Sequence, residues 1–254
     1  MEPLALLFPV LYAIFLWWFT TGLIIVVYDR ARWLTRLCFI GATVALGVAL
    51  GGLILTRGRP DLLAVYIAIT CGVVIWAWQV AGFYLGFVTG LLPDADTPNN
   101  TSLRWRFRLA VRASLHHELM ALAFALLLAA VTWNTPNRWG LWIYLTLWLM
   151  HTSAKLNVFL GVRNFEIDFL PRHLHHLEDL LDKRNSNSFF PVSIVVASAI
   201  ALWLIYRAIM PGVTENETIG LFMIATIMSL GILEHWLLVL PVPATLYGWG
   251  IRAL

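Results

Sequence analysis

Seven long apolar runs follow one another along this chain, separated by charged clusters, and that pattern restricts the fold more than any other feature. Hydrocarbon offers the backbone no hydrogen-bond partner, so a crossing segment must satisfy its own N–H and C=O groups as a helix. About 20 residues suffice to cross. The runs cover residues 4–27, 37–56, 62–88, 118–133, 139–160, 190–209 and 219–240. None alternates like a strand. Clear stops lie between them: Asp29 to Arg32, Arg57 to Pro60, the turn from Asn134 to Asn137, Pro211-Gly212, and Pro241 with Pro243. Charged residues make up only 12% of 254 positions and apolar ones 60%, whereas a soluble domain carries about 25% charge. The predicted fold is all-α, a polytopic integral membrane helical bundle of about seven transmembrane helices in a single domain, residues 1–254.

Charge sets the expected orientation. The first, third and fifth loops and the C-terminal tail hold twelve Lys and Arg residues, against four (Arg57, Arg59, Arg138, Arg207) in the even loops. The positive-inside rule then predicts an outer N-terminus and a cytoplasmic C-terminus. No cleavable signal peptide is expected, since only Glu2 precedes the first run and a basic n-region is missing. The net charge of +3 comes from loop arginines facing lipid head groups, and no Arg-Lys tract of the nucleic-acid-binding kind occurs. Cys38 and Cys71 fall inside apolar runs and read as core residues. Gly47 and Gly51 in the second run, and Gly82, Gly86 and Gly90 in the third, have the spacing that lets helix backbones approach. Packing within the monomer is the expected use, with a subunit contact as the other. Trp17, Trp18, Trp133, Trp139 and Trp236 sit near run ends, as an interfacial aromatic belt would place them.

Ionisable side chains inside a span are costly and therefore mark candidate sites. All seven histidines map to the cytoplasmic half. His116, His117 and Glu118 open the fourth run; His151, Lys155 and Asn157 lie in the fifth; Glu234 and His235 lie in the seventh. His173, His175 and His176 belong to residues 171–184, where leucines at helical spacing predict a short amphipathic cytoplasmic helix on the inner leaflet. The candidate pigment- or metal-binding set is His117, Glu118, His151, His173, His176, Glu234 and His235, with Lys155 and Asn157 as buried polar partners. Imidazoles and carboxylates together can hold iron, and one neutral imidazole can ligate a haem iron or the magnesium of a chlorin. The plain alternative is internal pairing, with Glu234 meeting Lys155. Arg104, Arg108 and Arg112 recur every four residues ahead of the fourth run, a basic face for anionic lipid or an acidic partner. With no internal repeat and no paired broken spans, a carrier is disfavoured.

Several blocks resemble a known family. The stretch from His116 to Leu122, the stretch from Ser153 to Phe165, Phe169-Leu170-Pro171, the ending Leu233 to Pro241 and the opening Tyr28-Asp29-Arg30 are similar to the PuhE family, photosynthetic-complex assembly proteins of purple and related anoxygenic phototrophic bacteria. The resemblance implies an inner-membrane accessory factor for the reaction centre and core light-harvesting complex, or a handler of bacteriochlorophyll for it. Expected partners are membrane lipids, reaction-centre or light-harvesting subunits and other assembly factors, met through lipid-exposed faces of the second and third runs. The family carries no catalytic residue to transfer. The alternative is a membrane metalloprotein, di-iron or haem, oxidising a tetrapyrrole, carotenoid or quinone.

Overall fold

A computed structural model describes residues 6–27, 30–88, 102–164 and 184–240. These residues form seven α-helices: α1 (Leu7–Val27), α2 (Arg32–Thr56), α3 (Leu62–Tyr84), α4 (Leu103–Val131), α5 (Trp139–Leu160), α6 (Phe189–Ala208) and α7 (Glu215–Val239). The chain is a helical membrane bundle. Six of the helices are long and apolar enough to cross a bilayer, all but α5. That helix has 22 residues, enough length, but His151, Lys155 and Asn157 lower its hydropathy. Its position removes the difficulty. It contributes Ile143, Tyr144 and Met150 to three separate core clusters, and of its polar groups Asn157 is fully buried while His151 and Lys155 are half-buried.

Helices α3, α5 and α7 form the middle of the bundle, with α1 on one side, α2 and α4 on another, and α6 against α5 and α7. More than half of the apolar window of α3 is buried, against 17% for α1 and α2. The third run is therefore the core and not a lipid-exposed docking face, which corrects one expectation. The second run keeps its exposed face: Ile40, Val44, Val48 and Leu55 point away from the bundle.

Helix ends follow from local chemistry. Asp61 caps α3 by accepting from the Ala64 N–H at 3.1 Å. The hydrogen-bonded Arg59 beside it holds that exposed carboxyl below the usual carboxylate range. Thr214 and Glu217 form a capping box on α7. Helix α3 stops at Tyr84, short of the expected residue 88, because Gly86 turns left-handed at φ +80° while the Phe87 and Val88 N–H groups fold back on the Gly82 carbonyl. Gly86 is thus a helix terminator and not part of a packing stripe. Helix α4 starts well before residue 118: its 29 residues span about 44 Å against a hydrocarbon thickness of ~30 Å, so its first turns project beyond the apolar layer. Arg104, Arg108 and Arg112 share one exposed face of that projection. Arg104, in the first turn, opposes the dipole of its own helix. The expected amphipathic helix at residues 171–184 lies outside the described residues but for its last position.

Three asparagines tie the ends of the bundle. Buried Asn137 donates to the carbonyls of Thr56 (3.2 Å) and Ala64 (3.0 Å), joining the α2–α3 and α4–α5 turns. At the opposite end Asn187 donates to Asn157 and Gly161 and accepts from the first N–H groups of α6. Asn164 donates to the Leu237 and Leu240 carbonyls at the end of α7. The orientation expected from the loop charges is testable with reporter fusions. A GFP fusion after Arg57 should stay dark and an alkaline phosphatase fusion there should be active; a fluorescent GFP fusion at that site would reverse the topology.

Candidate functional site

Four helices of the middle and one edge leave a chamber between them. It has a volume of about 260 Å³ and is partly open. Its walls come from α1, α3, α5 and α7, including Trp17, Thr21, Trp76, Tyr84, His151 and Glu234. It exists because α1 leans on the bundle with only part of its length. Near its start, Tyr12 bonds Thr70 of α3 at 2.7 Å, and Ala13 and Leu16 enter the core. Beyond Leu16 the same helix lines the chamber instead, from Trp17 to Ile25. The chamber lies toward the C-terminal ends of all four helices, the cytoplasmic side in the expected orientation.

Behind it, aromatic and imidazole rings pack edge-on and tilted against one another in a cluster. Trp76 lies edge-on to His151 (centroids 5.4 Å) and to His117 (6.0 Å); the two imidazoles are 5.6 Å apart, and Phe83 covers His117 at 5.1 Å. Neither ring nitrogen of buried His117 has a hydrogen-bond partner among the described residues, nor does His151 Nε2. The Gln79 carbonyl approaches His117 without a well-formed bond. A buried polar atom left without a partner costs about 1–3 kcal/mol, so three such nitrogens side by side are a costly arrangement.

Next to these rings, the Lys155 ammonium donates to Glu118 Oε1, and the Trp148 indole donates to Glu118 Oε2 at 3.1 Å. The lysine therefore pairs across α4 and α5, and not with Glu234 as the simple internal pairing supposed. Glu234 faces the chamber, with the Trp17 side chain as a hydrogen-bonding neighbour. His235 turns the other way. Its Nδ1–H donates to the Gly231 carbonyl at 2.7 Å, so its Nε2 accepts from the Ser153 hydroxyl at 2.9 Å. Both nitrogens are thereby used within the protein. Asn157 donates to Ser193 of α6 and to the Ser153 carbonyl, both at 3.0 Å.

The candidate residues thus divide into three sets: the His117–His151 ring cluster with the Glu118–Lys155 pair, the His235–Ser153 and Asn157–Ser193 links, and Glu234 at the chamber. Among the described residues, no three His, Cys, Asp or Glu side chains come together to hold a metal ion. His173 and His176 lie outside the described residues. Sequence reasoning missed Gln79 and Tyr144, which are fully buried and bonded to each other at 2.8 Å, with Tyr144 donating to the Ala121 carbonyl. A glutamine inside an apolar run was the available signal.

A tetrapyrrole, which the resemblance brings into question, would need an imidazole nitrogen that it can reach, and both ring nitrogens of His117 and the Nε2 of His151 are closed off from the chamber by the surrounding side chains.

Comparison with known sequences adds to this. Residues 4–254 match DUF3623, described as a protein of unknown function. The chain belongs to this family. It is also 35% identical over 248 residues to a Rhodobacter capsulatus protein named "Uncharacterized 30.4 kDa protein in puhA 5′region", covering 95% of this chain and 89% of the relative. No solved structure matches. The DUF3623 assignment and the puhA-region relative agree with the likeness to PuhE seen in the sequence.

Proposed function

We propose that this chain is a bacterial inner-membrane accessory factor for assembling the photosynthetic reaction centre and its light-harvesting partner, acting through helix contacts. What carries the reading is the outer face of α2. Helix α2 packs mainly on α3, burying Leu46, Ala49 and Leu53. On its other side Gly47 and Gly51 have nothing within 4 Å of where a Cβ would stand. Their four-residue spacing is not used inside the monomer, contrary to the expected packing role. It leaves a shallow notch beside Val44 and Val48 into which a partner helix could settle. The puhA-region relative and the likeness to PuhE supply the context of that partner. The exposed row of Arg104, Arg108 and Arg112 suits anionic lipid or an acidic segment of the same assembly.

Affinity purification of the tagged protein from gently solubilised photosynthetic membranes tests this. Reaction-centre or light-harvesting subunits should co-purify, and G47L with G51L together should reduce their recovery about tenfold, the effect of ~1.4 kcal/mol at a contact. Deleting the gene should deplete the complex while pigment chemistry stays normal. A complex at its usual level in the deletion strain would overturn the proposal. The metalloprotein reading has its own check in metal analysis of the purified protein, where two irons per chain would replace assembly with oxidation.

A further inference from the structure

We infer that α4 carries a seat for one anionic phospholipid, its phosphate held by Arg108 and Arg112 and one acyl chain laid along Leu115, Leu119, Leu122 and Leu126. The two arginines are neighbours on a single helix. Residues four apart lie on the same face with Cβ atoms about 5–6 Å from each other. Both side chains are exposed, and neither makes an ion pair among the described residues. The single acid of α4, Glu118, is held by Lys155 on the α5 side, so no carboxylate of the same helix neutralises this face. A fork of guanidiniums on a phosphate is among the stronger charged contacts.

Depth separates these two arginines from the third. Arg57 at the end of α2 donates to the Val131 carbonyl at 3.2 Å, and the exposed Trp133 follows, so the last turn of α4 marks one edge of the apolar layer. From Val131 back to Arg112 the helix rises about 28 Å, to Arg108 about 34 Å and to Arg104 about 40 Å. The hydrocarbon is ~30 Å thick, and head groups add roughly 5–7 Å on each side. Helical side chains lean toward the N-terminus, which carries the Arg112 guanidinium out of the hydrocarbon. Arg112 and Arg108 thus sit in the head-group layer, and Arg104 stands beyond it. Below the pair the same face turns apolar. Leu115, Leu119, Leu122 and Leu126 follow Arg112 at alternating spacings of three and four, which keeps them in line on a helix. Leu119, Leu122 and Leu126 are 55%, 45% and 62% exposed. Charge at phosphate depth above a straight apolar stripe matches an amphiphile. A water-soluble acidic segment would match the arginines and leave the leucines uncovered.

The test exposes the full-length protein in mild detergent to mixed phosphatidylglycerol and phosphatidylcholine and reads retained lipid by native mass spectrometry. About one phosphatidylglycerol per chain is expected to be held in preference to phosphatidylcholine. R108Q and R112Q should each weaken that retention about threefold, and the double variant about tenfold. R104Q removes the same charge outside the head-group layer and should leave retention unchanged, as should R138Q at the far end of the bundle. All four positions are exposed, so the variants should fold. An equal loss in R104Q would reveal a diffuse basic surface in place of a seat and overturn the inference. Phosphatidylglycerol retained no better than phosphatidylcholine would do the same. Unchanged retention in the double variant, with loss of a co-purifying acidic protein, would give the face to that partner instead. Lipid retention is read without reaction-centre subunits, so the assembly role and this site stand or fall separately.

Discussion

Replacing Gly72 by leucine should stop the bundle from closing, and the folded protein should be lost from the membrane. Gly72 of α3 lies against Gly140 of α5, and a Cβ there would collide with the Gly140 carbonyl oxygen and with Ile143 Cγ2. Gly140 is equally confined, by the Leu53 side chain and the Ala68 carbonyl. One obstacle at each position is backbone, which cannot rotate aside, so the two central helices must separate. Overpacking a well-packed core costs about 1–3 kcal/mol, occasionally more. A collision with backbone at the crossing of the two central helices belongs at or above the upper end, against a total stability of ~5–15 kcal/mol. Fluorescence-detected size exclusion of GFP-tagged protein would measure this. G72L should give little or no monodisperse peak, while G47L, in open space, should leave the peak at its usual height. Equal peaks for G72L and the unaltered protein would show that the α3–α5 crossing is not as close as described.

The second large effect concerns the ion pair of Lys155 and Glu118. Both side chains are about 30% exposed, so the pair is neither fully buried nor freely solvated. Breaking a fully buried pair costs about 3–5 kcal/mol, chiefly because the remaining charge is stranded. Partial exposure reduces this to roughly 2–3 kcal/mol for K155M, and E118Q should cost a similar amount. The double variant leaves no stranded charge and should recover most of the loss, a coupling of about 1–3 kcal/mol. Thermal unfolding in detergent of the four proteins completes the cycle. Losses that simply add would mean that the two groups do not depend on each other. The same cycle with Glu234 in place of Glu118 should be additive, since Glu234 faces the chamber.

That second cycle also marks where sequence reasoning reached its end. The cost of carrying a charge through hydrocarbon singled out Glu118, His151, Lys155, Glu234 and His235 from the chain alone. It could not choose among partners. Lys155 takes Glu118 from α4 because of how α4 and α5 are turned toward each other, and that rotation is set by packing around Tyr144 and Gln79. The glycines teach the same lesson. Gly47 and Gly51 have the spacing of a packed helix face and meet nothing, whereas Gly72 and Gly140, neither with a second glycine four residues away, bring the backbones of α3 and α5 into close approach.

From the residues alone come the number of helices, their approximate limits, the membrane as solvent and the side chains that must find a partner there. These are local consequences of hydropathy and of backbone hydrogen bonding, legible one segment at a time. Which helix becomes the centre, which histidine is satisfied and which is left open, and where a chamber remains depend on the rotation and tilt of seven helices at once. Those arise from contacts between residues far apart in the chain, such as Tyr12 with Thr70 or His235 with Ser153, and only the assembled bundle decides them.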